Sequence, residues 1–349
     1  YMGAMQHPGG GKNDIPNRLK RNFYMFNMVS PSMTSINDIY GQMLTGRFPK
    51  KTVPAETLNV VDQLTHATIG LWRTMKDKML PTPTKFHYVF NLRELSRVFQ
   101  GIMLTPTETV KTGGFRCENG SASYPGGGVT LLRIWKHECM RVFSDKLANN
   151  KDKDIFAGFL DKQMVESFGQ DLTDQCKPAF YMVNFNRPDV YDAEGVLEDL
   201  APKVYEPGGN LEEIRPMVLT FLEAYNKEFP SKKMELVLFN DALEHLLRIN
   251  RLMEMPRGSG LMVGVGGSGK QSLTRLSSYI SRAMNFQITL TKQYNKVTFL
   301  EDMQLLYKNA GHLRKPTTFL FTESEIKDEV FLEYLNSVLL TGEIPGLFA

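Results

Sequence analysis

The sequence predicts an α/β protein whose first half is helical and whose last third is a parallel sheet with crossover helices. Two observations carry this. Over residues 26–150 the apolar side chains recur at three- and four-residue steps, the period of amphipathic helices. From about Met234 onward, short apolar runs alternate with helical stretches at a spacing of about 25 to 30 residues, as successive crossover units require. A glycine-rich turn, Gly264–Lys270, sits between one such run and the next helix.

Size and charge set the bounds. The chain has 349 residues, about two domains at roughly 150 residues each, and 42% of them are hydrophobic, which is ample for full cores. Lys and Arg number 41 against 38 Asp and Glu, so the net charge of +3 supplies no global basic field for nucleic acid or an anionic membrane. No run of about 18 apolar residues exists to span a membrane. Three cysteines, Cys117, Cys139 and Cys176, fit neither a disulfide framework nor a metal-ligand spacing, and favour a reducing compartment. The opening Tyr1-Met2-Gly3-Ala4-Met5 lacks signal-peptide character and reads as an excised piece.

In chain order, the first element is the loop Pro8-Gly9-Gly10-Gly11-Lys12, which runs into Asn13-Asp14-Ile15-Pro16 and not into a helix. Leu58, Val61, Leu64, Ile69, Leu71 and Met75 predict a helix within 55–80, ended by Pro81-Thr82-Pro83. A second helix starts near Asn91 and carries Leu92, Leu95, Val98, Phe99 and Ile102 on one side. Residues 112–128 are rich in Gly and Ser and read as a long loop. Helical spacing resumes at Leu131, Trp135, Cys139 and Val142. Phe180–Phe185 reads as one strand, and 186–210, with three prolines and Gly208-Gly209, as a surface connection. A helix over 211–229 follows, striped by Ile214, Val218, Phe221, Leu222 and Tyr225. The candidate strands of the last block are Leu261–Val263, Phe286–Leu290 and Thr318–Phe321, with helices over 271–284 and 297–310 between them.

The chemistry concentrates in Gly264-Val265-Gly266-Gly267-Ser268-Gly269-Lys270-Gln271-Ser272. Glycines let consecutive backbone N–H groups turn onto an anion, the helix N-terminus adds positive potential, and Lys270 brings a mobile charge to the outer phosphates. The bland alternative is a glycine-rich turn that needs no ligand, and the strand–loop–helix context argues against it. One position departs from the pattern: the residue after Lys270 should carry a magnesium-ligating hydroxyl and is Gln271, while Ser272 lies about 100° further round the helix. The second nucleotide element is an apolar strand ending in acid. Phe319-Leu320-Phe321-Thr322-Glu323 fits, with Thr322 in place of the metal-side Asp and Glu323 retained to activate water. Both changes fall on the same magnesium ion.

These residues resemble the dynein heavy chains, whose motor ring strings six AAA+ modules on one polypeptide. Gly264–Leu276 is similar to the phosphate loop of the fourth module in axonemal members. Phe286–Thr291, Phe321-Thr322-Glu323, Ile326–Glu329 and Phe331–Tyr334 resemble later signatures of that module. Upstream, His87–Val98 and His137–Phe143 resemble the helical half of the third module. A Thr followed by an acid at 322–323 is typical of axonemal rather than cytoplasmic chains.

The resemblance implies a P-loop AAA+ type fold: the end of a third-module large subdomain over 1–25, its helical lid over 26–150, a helical extension and linker over 151–210, and the large α/β subdomain of the fourth module over 211–349, truncated after its third strand. It places Gln6 at a sensor position, Arg18 or else Arg21 at the arginine finger of the preceding module, and Arg93 at the lid's sensor arginine. It also places Val237 and Leu238, within Glu235–Phe239, against an adenine; a plain core strand is the alternative reading there. The implied cofactors are ATP or ADP with Mg2+, the ion resting on Gln271. The implied partners are neighbouring AAA+ modules, intermediate and light chains, and microtubules through parts outside this chain, in the cytoskeleton of the ciliary or flagellar axoneme. Two other readings share the phosphate loop: a structural clasp that holds nucleotide without turnover, and a nucleic-acid AAA+ machine, for which no basic-aromatic stripe exists.

Overall fold

A computed structural model describes residues 2–3, 5, 14–29, 31–111, 115–116, 123–124, 127–191 and 197–348. Gln6, the Gly9–Lys12 loop and Cys117 lie outside the described residues. A single turn, α1 (Asn17–Lys20), precedes α2 (Met33–Arg47), α3 (Ala55–Lys78) and α4 (Leu92–Leu104). A two-residue ribbon, β1 (Phe115–Arg116) with β2 (Ser123–Tyr124), leads to α5 (Gly127–Cys139), α6 (Asn150–Phe168) and α7 (Gln170–Gln175). Next come β3 (Tyr181–Val183), β4 (Val190–Tyr191), β5 (Leu197–Asp199) and β6 (Glu206–Gly209), then α8 (Leu211–Glu228) and α9 (Asn240–Glu254). The chain closes with α10 (Lys270–Ile280), β7 (Met284–Phe286), α11 (Lys296–Tyr307), β8 (Thr317–Phe319) and α12 (Glu329–Thr341).

Three hydrophobic cores follow one another along the chain. The first joins α2 to α6 and extends from Ile36 to Met182. Its anchor is Trp135 on α5, fully buried, whose indole N–H donates to Thr68 Oγ1 on α3 at 2.8 Å. That bond satisfies the single polar atom that so large a buried side chain brings inside. Helix α4 starts where Asn91 predicts, because Asn91 and Glu94 form a reciprocal capping box: Asn91 Oδ1 accepts from Arg93 N at 2.8 Å, and Glu94 Oε2 accepts from Asn91 N at 2.9 Å. The second core is built by α8, α9 and α10. The third gathers around Phe299 of α11 and Phe331 of α12, stacked with ring centroids 4.3 Å apart.

Two expectations need correction. Residues 186–210 are not simply a surface connection: β6 is buried along its length and pairs antiparallel with β3, and β4 pairs with β5. Its glycine content serves packing. A Cβ on Gly208 would stand 2.7 Å from Val183 Cγ2, so only glycine lets the ribbon close. Within 112–128, β1 and β2 form a ribbon and α5 already begins at Gly127.

The parallel sheet is smaller than predicted. β7 and β8 pair in parallel around α11, with Met284, Asn285 and Phe286 opposite Thr317, Thr318 and Phe319. The observed β7 begins two residues before the predicted run, and 287–290 carry no strand. Leu261–Val263 is not a strand: Leu261 is 91% and Val263 89% exposed, and the segment joins no sheet. A run of that composition needs a neighbouring strand on which to form a ladder, and β7 and β8 pair only with each other.

The first and second cores are joined by buried charge as well as by apolar contact. Glu138, at the end of α5, is fully buried and accepts from Arg251 of α9, through Nη2 to Oε2 and through Nε to Oε1 at 3.4 Å, and from Tyr205 Oη at 2.6 Å. Gly101 on α4 makes room for it, since a Cβ there would overlap the carboxylate. Beyond the π-helical turn Met140–Ser144, Asp145 pairs with Arg248 Nε at 3.2 Å and Arg141 Nε at 3.4 Å. Glu244 accepts from Arg248 at 2.7 Å and from Tyr181 Oη at 2.8 Å. Burial, reinforced by Glu244, pushes the Tyr181 hydroxyl up to about 12. His137, buried beside this network, is held well below its ordinary value by desolvation and by Arg141, Arg251 and Arg248.

Candidate phosphate-loop site

Residues 264–269 form the loop, and α10 begins at Lys270. Gly267 and Gly269 both have φ of +77°, the left-handed region that L side chains rarely adopt, and Gly269 is the helix N-cap. The loop stands exposed at the end of α10, whose other face packs on α9 in the second core. Lys270 folds back over it: Nζ donates to the carbonyls of Gly264 and Val265, both at 2.7 Å, and to Ser268 Oγ at 3.2 Å. The ammonium therefore lies across the concave side of the turn, held by neutral dipoles that an anion would outcompete. A Cβ on Gly264 would meet Ser268 Oγ at 3.4 Å and Lys270 Nζ at 3.8 Å, so the glycine accommodates this close approach.

Beyond Lys270 a line of hydrogen bonds leaves the loop. The Gln271 side-chain oxygen accepts from Arg275 Nη2 at 3.4 Å, and the same Nη2 donates to Gln287 Oε1 at 2.8 Å. Gln287 Nε2 donates to Glu325 Oε1 at 2.8 Å, and Glu325, buried, accepts from Thr322 N through Oε2 at 2.6 Å. The first turns of α10 are thus tied to the segment that follows β8. Thr322 shares its hydroxyl hydrogen bond with Ser324 at 2.9 Å, and Glu323 is exposed.

The other predicted site residues are spread out. Ser272 is half-buried on α10. Val237 is 82% exposed while Leu238 is buried in the second core, and Glu235–Phe239 is extended without strand pairing. Arg93 and Arg18 are exposed near the starts of α4 and α1, and Arg21 is exposed just after α1. Sequence reasoning missed Arg275, Gln287 and Glu325. The four-residue step from Gln271 to Arg275, one helical turn, was the available signal.

The residues at the expected magnesium positions do not fit that ion. Mg2+ asks for near-octahedral oxygen ligands, with one or two carboxylates beside the phosphates. Here the donors are one neutral amide, already accepting from a guanidinium, and one hydroxyl engaged with Ser324. Among the described residues no cluster of three His, Cys, Asp or Glu side chains could hold a metal.

Comparison with known proteins identifies the family. The family model described as P-loop containing dynein motor region D4 matches residues 234–349, and the model of the dynein heavy chain ATPase lid domain matches 47–153. The dynein gamma chain of the flagellar outer arm of Chlamydomonas reinhardtii is 45% identical over 99% of this chain. Dynein axonemal heavy chain 5 of Rattus norvegicus and dynein axonemal heavy chain 8 of Homo sapiens are 43% and 42% identical over all of it. The chain belongs to the axonemal dynein heavy-chain family. It spans 8–10% of the length of those three relatives. In dynein terms, the lid match covers α3 to α5 and the motor-region match runs from just before α9 through α12. Among the described residues no helix is long and apolar enough to cross a membrane.

Proposed function

We propose that this dynein segment holds ATP or ADP at Gly264–Ser272 and passes its occupancy between neighbouring modules of a microtubule motor of the axoneme. On this reading 1–25 and 26–150 close a third module, 151–210 link it onward, and 211–349 open a fourth. The observation that carries it is the phosphate loop itself, with left-handed glycines at 267 and at the N-cap, Gly269, of α10, and Lys270 laid across its concave face. A loop of that shape presents backbone N–H groups and a mobile cation to an anion of phosphate size. Hydrolysis at this site is slow or absent, because activation of water by Glu323 cannot replace stabilisation of the leaving charge. Val237 and Leu238 border the adenine, Arg93 is the lid's sensor for the third module, and Arg18, or Arg21 in its place, reaches the nucleotide of the module before it. Intermediate and light chains and the microtubule engage other parts of the motor.

The test is nucleotide binding by Lys270→Ala in a full-length heavy chain whose other phosphate-loop lysines are substituted. Fluorescent ADP should bind the parent and not the variant. Equal dissociation constants would sink the assignment.

A further inference from the structure

Resting on the nucleotide-site reading above, we propose that this phosphate loop binds its nucleotide without a divalent cation: Gln271 serves as a hydrogen-bond donor to phosphate, and Arg275 is the residue that positions it. The argument starts from which end of the Gln271 amide is free. Its oxygen accepts from Arg275 Nη2 at 3.4 Å, so among the described residues the end left without a hydrogen bond is the –NH2. A side chain turned this way offers two donors to a phosphate oxygen and keeps its oxygen on Arg275, away from the place of a metal ion. The position that ordinarily supplies a metal ligand has therefore changed its sign, from acceptor to donor.

The orientation is fixed from further away. Arg275 donates to Gln287 Oε1 at 2.8 Å, which leaves Gln287 Nε2 to donate to Glu325 Oε1 at 2.8 Å. Glu325 is only 4% exposed, and its second oxygen accepts from Thr322 N at 2.6 Å. Each group in this series has its donor and acceptor roles set by the next, and reversing the Gln287 amide would aim an oxygen at a carboxylate. Arg275 is half-buried, and among the described residues it makes no ion pair. A guanidinium held by two amide oxygens has, among the described residues, no carboxylate set against its charge. That charge favours an anion there and opposes a second cation, and its Nη2, shared between Gln287 and Gln271, sets a direction that a point charge sets less firmly.

The experiment measures the dissociation constant of fluorescent ADP in excess Mg2+ and in excess EDTA, on the full-length heavy chain whose other phosphate-loop lysines are substituted. The parent should bind within about threefold in the two conditions. Gln271→Ala, a change at an exposed side chain that leaves the cores intact, should weaken binding about tenfold in both, equivalent to about 1.4 kcal/mol. Arg275→Ala should weaken binding about tenfold in EDTA and less in Mg2+, because the freed amide can then turn its oxygen outward, and Arg275→Lys should recover part of the EDTA affinity. A merely structural role for Arg275 would weaken binding equally in both conditions, raising both dissociation constants together, and that result overturns its positioning role. If the parent loses more than tenfold in EDTA, or Gln271→Ala changes nothing, the metal-free inference is wrong while the nucleotide site stands. If Lys270→Ala binds as the parent does, the nucleotide reading itself has failed.

Discussion

Replacing Arg251 with methionine should be among the most damaging single changes in the chain, because of what it leaves behind. Glu138 has no exposed surface, and its oxygens accept from Arg251 and Tyr205 while α4 closes over it at Gly101. Among the described residues, Arg251→Met removes the cation that donates to this carboxylate and leaves Tyr205 as its hydrogen-bond donor. Removing one partner of a buried pair costs about 3–5 kcal/mol, a large share of the roughly 5–15 kcal/mol that holds a domain folded. Glu138→Leu should cost less, about 1–3 kcal/mol, because the Arg251 side chain keeps 13% exposure and can reach water. The double variant removes both charges and should lie near the parent, so the two single losses should fail to add by more than about 2 kcal/mol. The assay is urea unfolding followed by tryptophan fluorescence. It is well placed, because Trp135 lies on α5 one turn before Glu138 and Trp72 lies in the same core. A loss below about 1 kcal/mol for Arg251→Met, or additive single effects, would refute the claim that this pair is desolvated and coupled.

The same region predicts an acid-side weakness. His137 stays neutral when folded because burial and three arginines depress its affinity for a proton, whereas the unfolded chain takes one up at the ordinary value of 6.5. Its effect is nil above that value, and stability should fall as the pH drops below it, with a slope approaching about 1.4 kcal/mol per pH unit. Thermal midpoints between about pH 5 and 7.5 measure this, and His137→Gln should flatten the profile. A second expectation concerns the segment before the phosphate loop: amide hydrogens of Leu261–Val263 should exchange with solvent far faster than those of α10, since they are exposed and in no sheet. Protection matching that of α10 would mean that a ladder forms there.

Much of the fold was legible because its signals are local. The helix over 55–80, the capping Asn91 and the stripe of 211–229 each rest on periodicity or a cap within a few residues, and α3, α4 and α8 match them closely. Proline and glycine misled the reading of 186–210, because Pro207-Gly208 lies inside β6, where the absence of a side chain is what admits Val183. Leu261–Val263 shows the opposite failure: strand composition states a preference, but pairing depends on partners that no local pattern supplies. At the site, the loop and its lysine were readable from glycine spacing and the helix that follows, although the strand expected before them does not form. The path from Gln271 through Gln287 to Glu325 was not, since it joins three separate elements by hydrogen bonds between side chains of ordinary type.

Strand β3 has a consequence out of proportion to its three residues. Side chains alternate along a strand, and here the alternation sorts them between two cores: Met182 belongs to the first, while Val183 and, partly, Tyr181 belong to the second. One ribbon of backbone is thus a party wall with a different tenant on each side. Inserting or deleting a single residue in 181–183 would evict both tenants at once, sending the methionine into the space shaped for valine and the reverse. Length changes in this part of the chain should therefore be tolerated in the connections on either side of the wall and nowhere within it.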